Sequence, residues 1–308
     1  MKKIFIDGSA GTTGLRIFER LAARDDVEVL TLSEELRKDA NARKQMLNAV
    51  DVAFLCLPDD AAREAVAMVE NPAVTIIDAS TAHRTLPDWT YGFPELSRAH
   101  EEKIITSKRI AVPGCHASGF IALVYPLVEA GLLGKDALLT CHSLTGYSGG
   151  GKKMIAEYES EDRNVLLGAP RQYGITQTHK HLKEMRAITG IDNAPAFSPI
   201  VADFYSGMEV TVPIFKQMLK GTIEDVKNVF KAKYNGEIVR YEENIDENGF
   251  ISALCMSGKD GMKISVGGNE ERILLTAVYD NLGKGASGAA IECMNMALGF
   301  EKTKGLAL

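Results

Sequence analysis

The stretch Ile4-Phe5-Ile6-Asp7-Gly8-Ser9-Ala10-Gly11-Thr12-Thr13-Gly14-Leu15 decides how this chain is read. Three apolar residues predict a short strand, glycines follow at every third position, and a helix is expected from about Thr13 to Ala23. Glycine lets a chain turn sharply and lets backbone approach a pyrophosphate, while a helix N-terminus offers N–H donors and the positive end of its dipole. Gly8, Ser9, Gly11, Thr12, Thr13 and Gly14 are therefore candidate cofactor-binding residues. The spacing is GxxGxxG rather than GxGxxG, so its weight comes from its place in a strand-turn-helix unit.

The alternation continues outward from that turn. Val27-Glu28-Val29-Leu30, Val52 to Leu57 and Val74-Thr75-Ile76-Ile77 read as strands, separated by helical patterns near Asn41 to Ala49 and Asp60 to Val69. Strand, helix, strand at this spacing predicts a parallel sheet covered on both faces. After Cys115 the strand-like stretches lengthen: Gly207 to Val212, Ile251 to Met256, Lys263 to Val266 and Arg272 to Tyr279, with one clear helix at Ile223 to Tyr234. These predict a mainly antiparallel sheet with helices on one face. The fold class is thus α/β, a doubly wound Rossmann-type domain plus an α+β domain with a mainly antiparallel sheet. Residues 1–114 and 285–308 are assigned to the first, because the apolar stripe from Gly285 to Leu298 is expected to pack back on it, and 115–284 to the second.

The second strand ends Leu30-Thr31-Leu32-Ser33, without the acidic residue that takes a ribose 2′-hydroxyl in NAD-preferring domains. Ser33 with Arg37 and Lys38 suits a 2′-phosphate and favours NADP, although Glu34 and Glu35 stand close in sequence. A chain of 308 residues with net charge −6 and scattered basic residues has no global attraction for nucleic acid. No segment has signal-peptide or membrane-spanning character, and five cysteines without metal or disulfide spacing point to a reducing compartment, so a cytoplasmic protein is expected.

A cysteine sits where chemistry is easiest. In Val112-Pro113-Gly114-Cys115-His116-Ala117-Ser118-Gly119 an apolar stretch stops at Pro-Gly and Cys115 opens the next helix, where unpaired N–H groups and the dipole favour a nucleophilic thiolate. Cys56, Cys141, Cys255 and Cys293 lack that setting and are read as core. Gln177-Thr178-His179-Lys180-His181-Leu182-Lys183-Glu184 supplies imidazoles for proton transfer, with Glu184 on the face of His181. Without a further ligand cluster, no metal is expected there. Arg84 and Ser80, after the strand Ile76-Ile77-Asp78, stand where open α/β sheets bind ligands and suit an anionic substrate. Ser148, in the glycine-rich run Thr145 to Lys153, offers a further contact.

These motifs, taken together, make the chain resemble the N-acetyl-γ-glutamyl-phosphate reductase family, in its shorter form, within the aspartate-semialdehyde dehydrogenase group. The likeness spans nearly the whole length, including Tyr91-Gly92-Phe93-Pro94-Glu95-Leu96 and the most specific run, Asp280-Asn281-Leu282-Gly283-Lys284-Gly285-Ala286-Ser287-Gly288. It implies NADPH-dependent reduction of N-acetylglutamyl 5-phosphate to the 5-semialdehyde in arginine synthesis, through a thioester on Cys115. It also implies His179 or His181 as acid and base, Arg84 on the phosphate, Glu184 orienting a histidine or meeting the substrate amide, and Asn281 near the cofactor. A dimer or tetramer is expected. Two positions depart from the family: Val112 where asparagine is common, and Lys183 where proline is common. The competing readings are a sister acyl-phosphate reductase, acting on aspartyl or carrier-bound aminoadipyl phosphate, and a nucleotide-binding regulator without chemistry.

Overall fold

A computed structural model describes all 308 residues, which divide into two compact units. The first holds Met1–Pro94, Arg98–Pro113 and Ala286–Leu306, and the second Glu95–Ser97, Gly114–Gly285 and Ala307–Leu308. In chain order the first unit contains β1 (Lys2–Asp7), α1 (Thr12–Ala22), β2 (Val27–Leu30), α2 (Ala40–Ala49), β3 (Val52–Leu55), α3 (Asp59–Ala67), β4 (Thr75–Asp78), β5 (Thr90–Tyr91), α4 (Arg98–Thr106) and β6 (Arg109–Ala111). The chain's last helix, Gly288–Leu298, completes it.

Its six strands run parallel in the order β2-β1-β3-β4-β6-β5. Period-two alternation splits β1 between two cores. Ile4 and Ile6 join Ile17 and Leu21 of α1, Ile104 of α4 and Ile291 and Met294 of the last helix. Phe5 points the other way, to Leu47 of α2 and Ala62 and Ala65 of α3. Burying each such large side chain contributes about 1.5–3 kcal/mol, so a strand apolar on both faces is stable only between two helical layers.

The second unit follows with α5 (Cys115–Glu129), β7 (Thr140–Gly146), α6 (Gly151–Glu159), β8 (Arg171–Gln172), α7 (His181–Thr189), β9 (Ala196–Ala202), β10 (Met208–Phe215), α8 (Ile223–Lys233), β11 (Val239–Tyr241), β12 (Met262–Gly268) and β13 (Arg272–Tyr279). Its seven-stranded sheet has the order β11-β12-β13-β10-β7-β9-β8, antiparallel except for the pairs β7–β9 and β11–β12. Met208, Val210, Val212 and Ile214 alternate inward along β10, where α5 packs, and α8 covers β12. Thr222 starts α8 with a reciprocal capping box to Asp225.

The expected strand over Ile251 to Met256 does not form. Its buried side chains, Ala253 and Met256, lie three apart, which is a turn period rather than a strand period. The Ser252 hydroxyl accepts the Leu254 N–H, and successive backbone bonds wind Ser252 to Ser257 into turns. Cys255, read as core from its apolar neighbours, is consequently exposed. No helix in the chain is long and apolar enough to cross a membrane.

At the end of β1, Asp7 is buried and its Oδ2 accepts both Nε and Nη2 of Arg43 from α2, at 3.0 and 2.8 Å. Burial pushes the Asp7 carboxyl up from its usual range, against the opposing pull of Arg43. Replacing one partner of such a pair strands the other charge. Arg43→Leu is expected to lower the unfolding free energy by about 3 kcal/mol at pH 7. Urea titration should find a smaller loss at pH 5, where the orphaned carboxyl accepts a proton more readily.

Candidate active site

The nucleophile site in the second unit is built around the first turn of α5. Cys115 is the first helical residue, and no side chain of the preceding Gly114 caps the helix. The missing acceptor comes from elsewhere: Glu184 Oε1 accepts the Gly114 N–H at 2.7 Å, in the interior. A carboxylate at a helix N-terminus is favoured by the dipole, so Glu184 both satisfies a backbone donor and fixes where α5 begins. Glu184 lies in the first turn of α7, which packs against α5.

A second anchor holds the other side of that turn. The Tyr279 hydroxyl donates to the Cys115 carbonyl at 2.5 Å and accepts the Gly119 N–H at 3.0 Å, bracing both ends of the helix's first turn from the sheet. Burial raises the Tyr279 pKa, so the phenol keeps the proton it donates. This approach needs a glycine, because a Cβ at Gly119 would lie 2.7 Å from the Tyr279 oxygen and 2.7 Å from Val210 Cγ2.

Beside Cys115 the structure gathers three imidazoles. The His116 ring lies 5.9 Å from His179 and 5.6 Å from His181, with those two 4.7 Å apart and Phe197 closing the cluster. His116 is buried, and its pKa is depressed to about 3 by burial first and by the neighbouring His179 charge second. Burial and then Lys180 also lower the pKa of half-buried His179, which favours its neutral, proton-accepting form at pH 7. His181 is buried at the start of α7. No group of three His, Cys, Asp or Glu side chains is arranged to hold a metal ion.

Ser148 and Asn281 also meet in this unit. Asn281 Nδ2 donates to the Ser148 Oγ at 3.0 Å while its Oδ1 accepts the Gly207 N–H at 2.9 Å. Both residues are buried. The glycine-rich run around them forms a short 3-10 turn, Tyr147–Gly150, leading into α6.

Arg84 and Ser80 belong to the first unit. The Ser80 hydroxyl donates to Asp78 and accepts the Ala82 N–H. Arg84 is buried, with Nε on the Val112 carbonyl at 2.8 Å and Nη2 on the Ala79 carbonyl at 3.0 Å. The guanidinium is thereby held in one place.

The glycine-rich turn of the first unit opens onto a cleft of about 590 Å³ lined by Gly8, Ser9, Ala10, Thr31, Glu34, Arg37, Lys38 and Leu57, among others. At Gly8, φ is +90°, and a Cβ there would lie 2.3 Å from the Cys56 carbonyl oxygen, so only glycine turns here. No side chain caps α1, and the buried Thr12 Oγ1 at its N-terminus has no hydrogen-bond partner. An uncapped helix end with an orphaned hydroxyl fits a bound phosphate, which would satisfy both. Arg37, on the rim, pairs with Glu34 at 3.0 Å, and the exposed Ser33 hydroxyl donates to Glu35 at 3.2 Å.

Two family models match successive parts of the chain. The chain matches "Semialdehyde dehydrogenase, NAD binding domain" over residues 3–104 and "Semialdehyde dehydrogenase, dimerisation domain" over residues 115–281. It is 45% identical over 305 residues to N-acetyl-γ-glutamyl-phosphate reductase of Rhizobium meliloti, covering 96% of this chain and 98% of the relative. The chain belongs to the N-acetyl-γ-glutamyl-phosphate reductase family. A further relative, N-acetyl-γ-glutamyl-phosphate reductase 2 of Nostoc, is 42% identical over 318 residues, covering 99% of each chain.

Outside the reductase family, aspartate semialdehyde dehydrogenase II of Vibrio cholerae shares the fold, with TM-score 0.72 at 17% identity over 97% of this chain and 98% of that one. The Candida albicans enzyme, solved with NADP, gives TM-score 0.69 at 15% identity over 96% and 98%.

Beside the residues expected from sequence, the structure places His116, Ser143, Tyr173 and Tyr279 around the first turn of α5 and the imidazole cluster. His116 adjoins Cys115 in the chain and was open to notice. Ser143, Tyr173 and Tyr279 carried no local signal, because only the sheet and the loop before α7 bring them to α5. Gly119→Ala is expected to displace Tyr279 from the first turn and to cost about 2 kcal/mol, in the range for overpacking a filled core. Thermal unfolding would measure the loss, and iodoacetamide should alkylate Cys115 more slowly in the variant than in the parent.

Proposed function

We propose that the chain reduces N-acetyl-L-glutamyl 5-phosphate to N-acetyl-L-glutamate 5-semialdehyde and phosphate, with NADPH as reductant and Cys115 as nucleophile. The observation that carries this reading is the thiol at the first residue of an apolar fifteen-residue helix, next in the chain to a histidine whose ring gathers two further imidazoles. The names of the relatives support the substrate.

The Cys115 sulfur attacks the acyl carbon as His179 takes the thiol proton, and the carbon–oxygen bond to phosphate breaks as that proton passes to the departing oxygen. A thioester remains, more electrophilic than an ester because sulfur donates poorly into the carbonyl. NADPH, when bound, supplies the hydride that reduces this carbon. Collapse of the resulting thiohemiacetal anion breaks the carbon–sulfur bond, releasing the aldehyde and returning the thiolate, which takes up one proton from solvent. His181 is the second candidate for the proton-transfer role. Backbone N–H groups at the start of α5 stabilise the oxyanion.

Arg84, anchored through two of its donors, serves as a fixed positive charge for the substrate phosphate, with Ser80 beside it in the loop after β4. Ser148 is assigned to the substrate, and Glu184 acts by holding the Gly114 N–H. Gly8 to Gly14 with Thr12 would hold the pyrophosphate, and Arg37 and Ser33 would favour the 2′-phosphate; Asn281 is assigned to the cofactor. The match to a dimerisation domain supports a homo-oligomer. Five free cysteines fit a cytoplasmic setting.

Cys115→Ser should abolish turnover while NADPH binding, followed by fluorescence, survives. Intact mass of the parent mixed with acyl phosphate and no reductant should show an acyl adduct on Cys115, and its absence at full turnover would rule out the thioester. The substrate is tested in reverse, by phosphate-dependent NADP reduction. A strong preference for aspartate semialdehyde over N-acetylglutamate semialdehyde would overturn the assignment. Arg37→Ala is expected to raise the KM for NADPH about tenfold with little change for NADH, as loss of one charge-assisted contact predicts.

A further inference from the structure

His116 ties a serine to a tyrosine. Its Nδ1 lies 2.6 Å from the Oγ of Ser143 on β7, and its Nε2 lies 2.6 Å from the hydroxyl of Tyr173, which precedes the histidine motif in the chain. Each contact is undirected on distance alone, since serine, tyrosine and neutral imidazole can all donate or accept.

Counting protons gives the chain a direction. With its pKa near 3, His116 is neutral at working pH and offers one N–H and one lone pair. Ser143 is fully buried, and its hydroxyl has His116 as its sole hydrogen-bond partner. Were Ser143 the acceptor, its own O–H would be left in the interior with nothing to receive it, an arrangement that proteins avoid. Ser143 therefore donates to Nδ1, the imidazole proton sits on Nε2, and Nε2–H donates to the Tyr173 oxygen. The Tyr173 O–H, displaced from the imidazole, must donate elsewhere.

Given Cys115 as the nucleophile, we propose that Tyr173 is a further catalytic residue: its hydroxyl donates to the oxygen of the acyl group carried on Cys115, and His116 and Ser143 are positioning residues that aim it. Burial pushes the Tyr173 phenol pKa up, and the negative charge of a nearby Cys115 thiolate raises it further. The phenol consequently keeps its proton throughout the working range and remains a donor. Tyr173 is half-buried rather than sealed in the core. Sulfur then need not supply the stabilisation, and the oxyanion gains a side-chain donor besides the backbone of α5.

The first test is spectroscopic and independent of turnover. Nitrogen-15 shifts of the His116 ring in the full-length protein should show the Nε2–H tautomer, switching toward Nδ1–H in Ser143→Ala; an Nδ1–H ring in the parent would overturn the proposal. The second is kinetic. Tyr173→Phe should lower kcat about 100-fold, the effect of losing one oxyanion donor, with KM for the acyl phosphate nearly unchanged. NADPH binding and the rate of Cys115 alkylation should persist, which separates lost catalysis from lost folding. Ser143→Ala should lower kcat about tenfold, although its side chain meets no substrate, because the freed imidazole can then accept the tyrosine proton. Unchanged kcat in Tyr173→Phe sinks the tyrosine assignment alone, whereas full activity in Cys115→Ser sinks the nucleophile on which it rests.

Discussion

The hydroxyl of Tyr279 holds the Cys115 carbonyl and the Gly119 N–H at once, from the side of the helix's first turn. Much of the nucleophile site follows from that contact. A thiol placed at a helix end would ordinarily fray with the first turn. Here the turn is held from the sheet by Tyr279 and from α7 by Glu184, which takes the Gly114 N–H. The sulfur is thus presented by backbone clamped on both sides of its own residue, which is how a small side chain gains a defined position without contacts that would block it.

The two units solve different problems with the same element, a helix N-terminus. In the first, α1 starts without a side-chain cap and leaves a buried threonine hydroxyl orphaned, the condition of a site awaiting an anion. In the second, a carboxylate from α7 already satisfies the Gly114 N–H at the N-terminus of α5, and Cys115 follows as the first helical residue. The imidazole cluster follows a similar economy. Burial holds His116 and His179 below the usual imidazole range, and a charge on His179 lowers His116 further, so these two rings favour the neutral form at pH 7.

Much of this was legible in the chain. Ile4-Phe5-Ile6 announced a strand buried on both faces, the glycine spacing announced the turn, and Pro113-Gly114-Cys115 announced a helix opening on a thiol. Where reading failed, the reason was local. Ile251 to Met256 is as apolar as a strand, yet Ser252 bonds its own backbone and the inward positions fall three apart. The partners of Glu184, Ser143 and Tyr279 were illegible for another reason. The three hydrogen bonds join residues 27, 70 and 164 positions apart, and which strand faces which helix is decided by sheet order, a property no window of sequence contains.

The last helix places Ile291 and Met294 against Ile4 and Ile6, so the first unit is closed by a segment that follows the whole second unit in the chain. During synthesis the opening strands emerge early but wait, one core face uncovered, until that helix leaves the ribosome. Apolar surface on a parallel sheet is then open to chaperones or to neighbouring nascent chains for most of translation, while the intervening unit can mature ahead of the segment that began first. Birth order and completion order are reversed in this protein, and its yield in a cell depends on how well that interval is guarded.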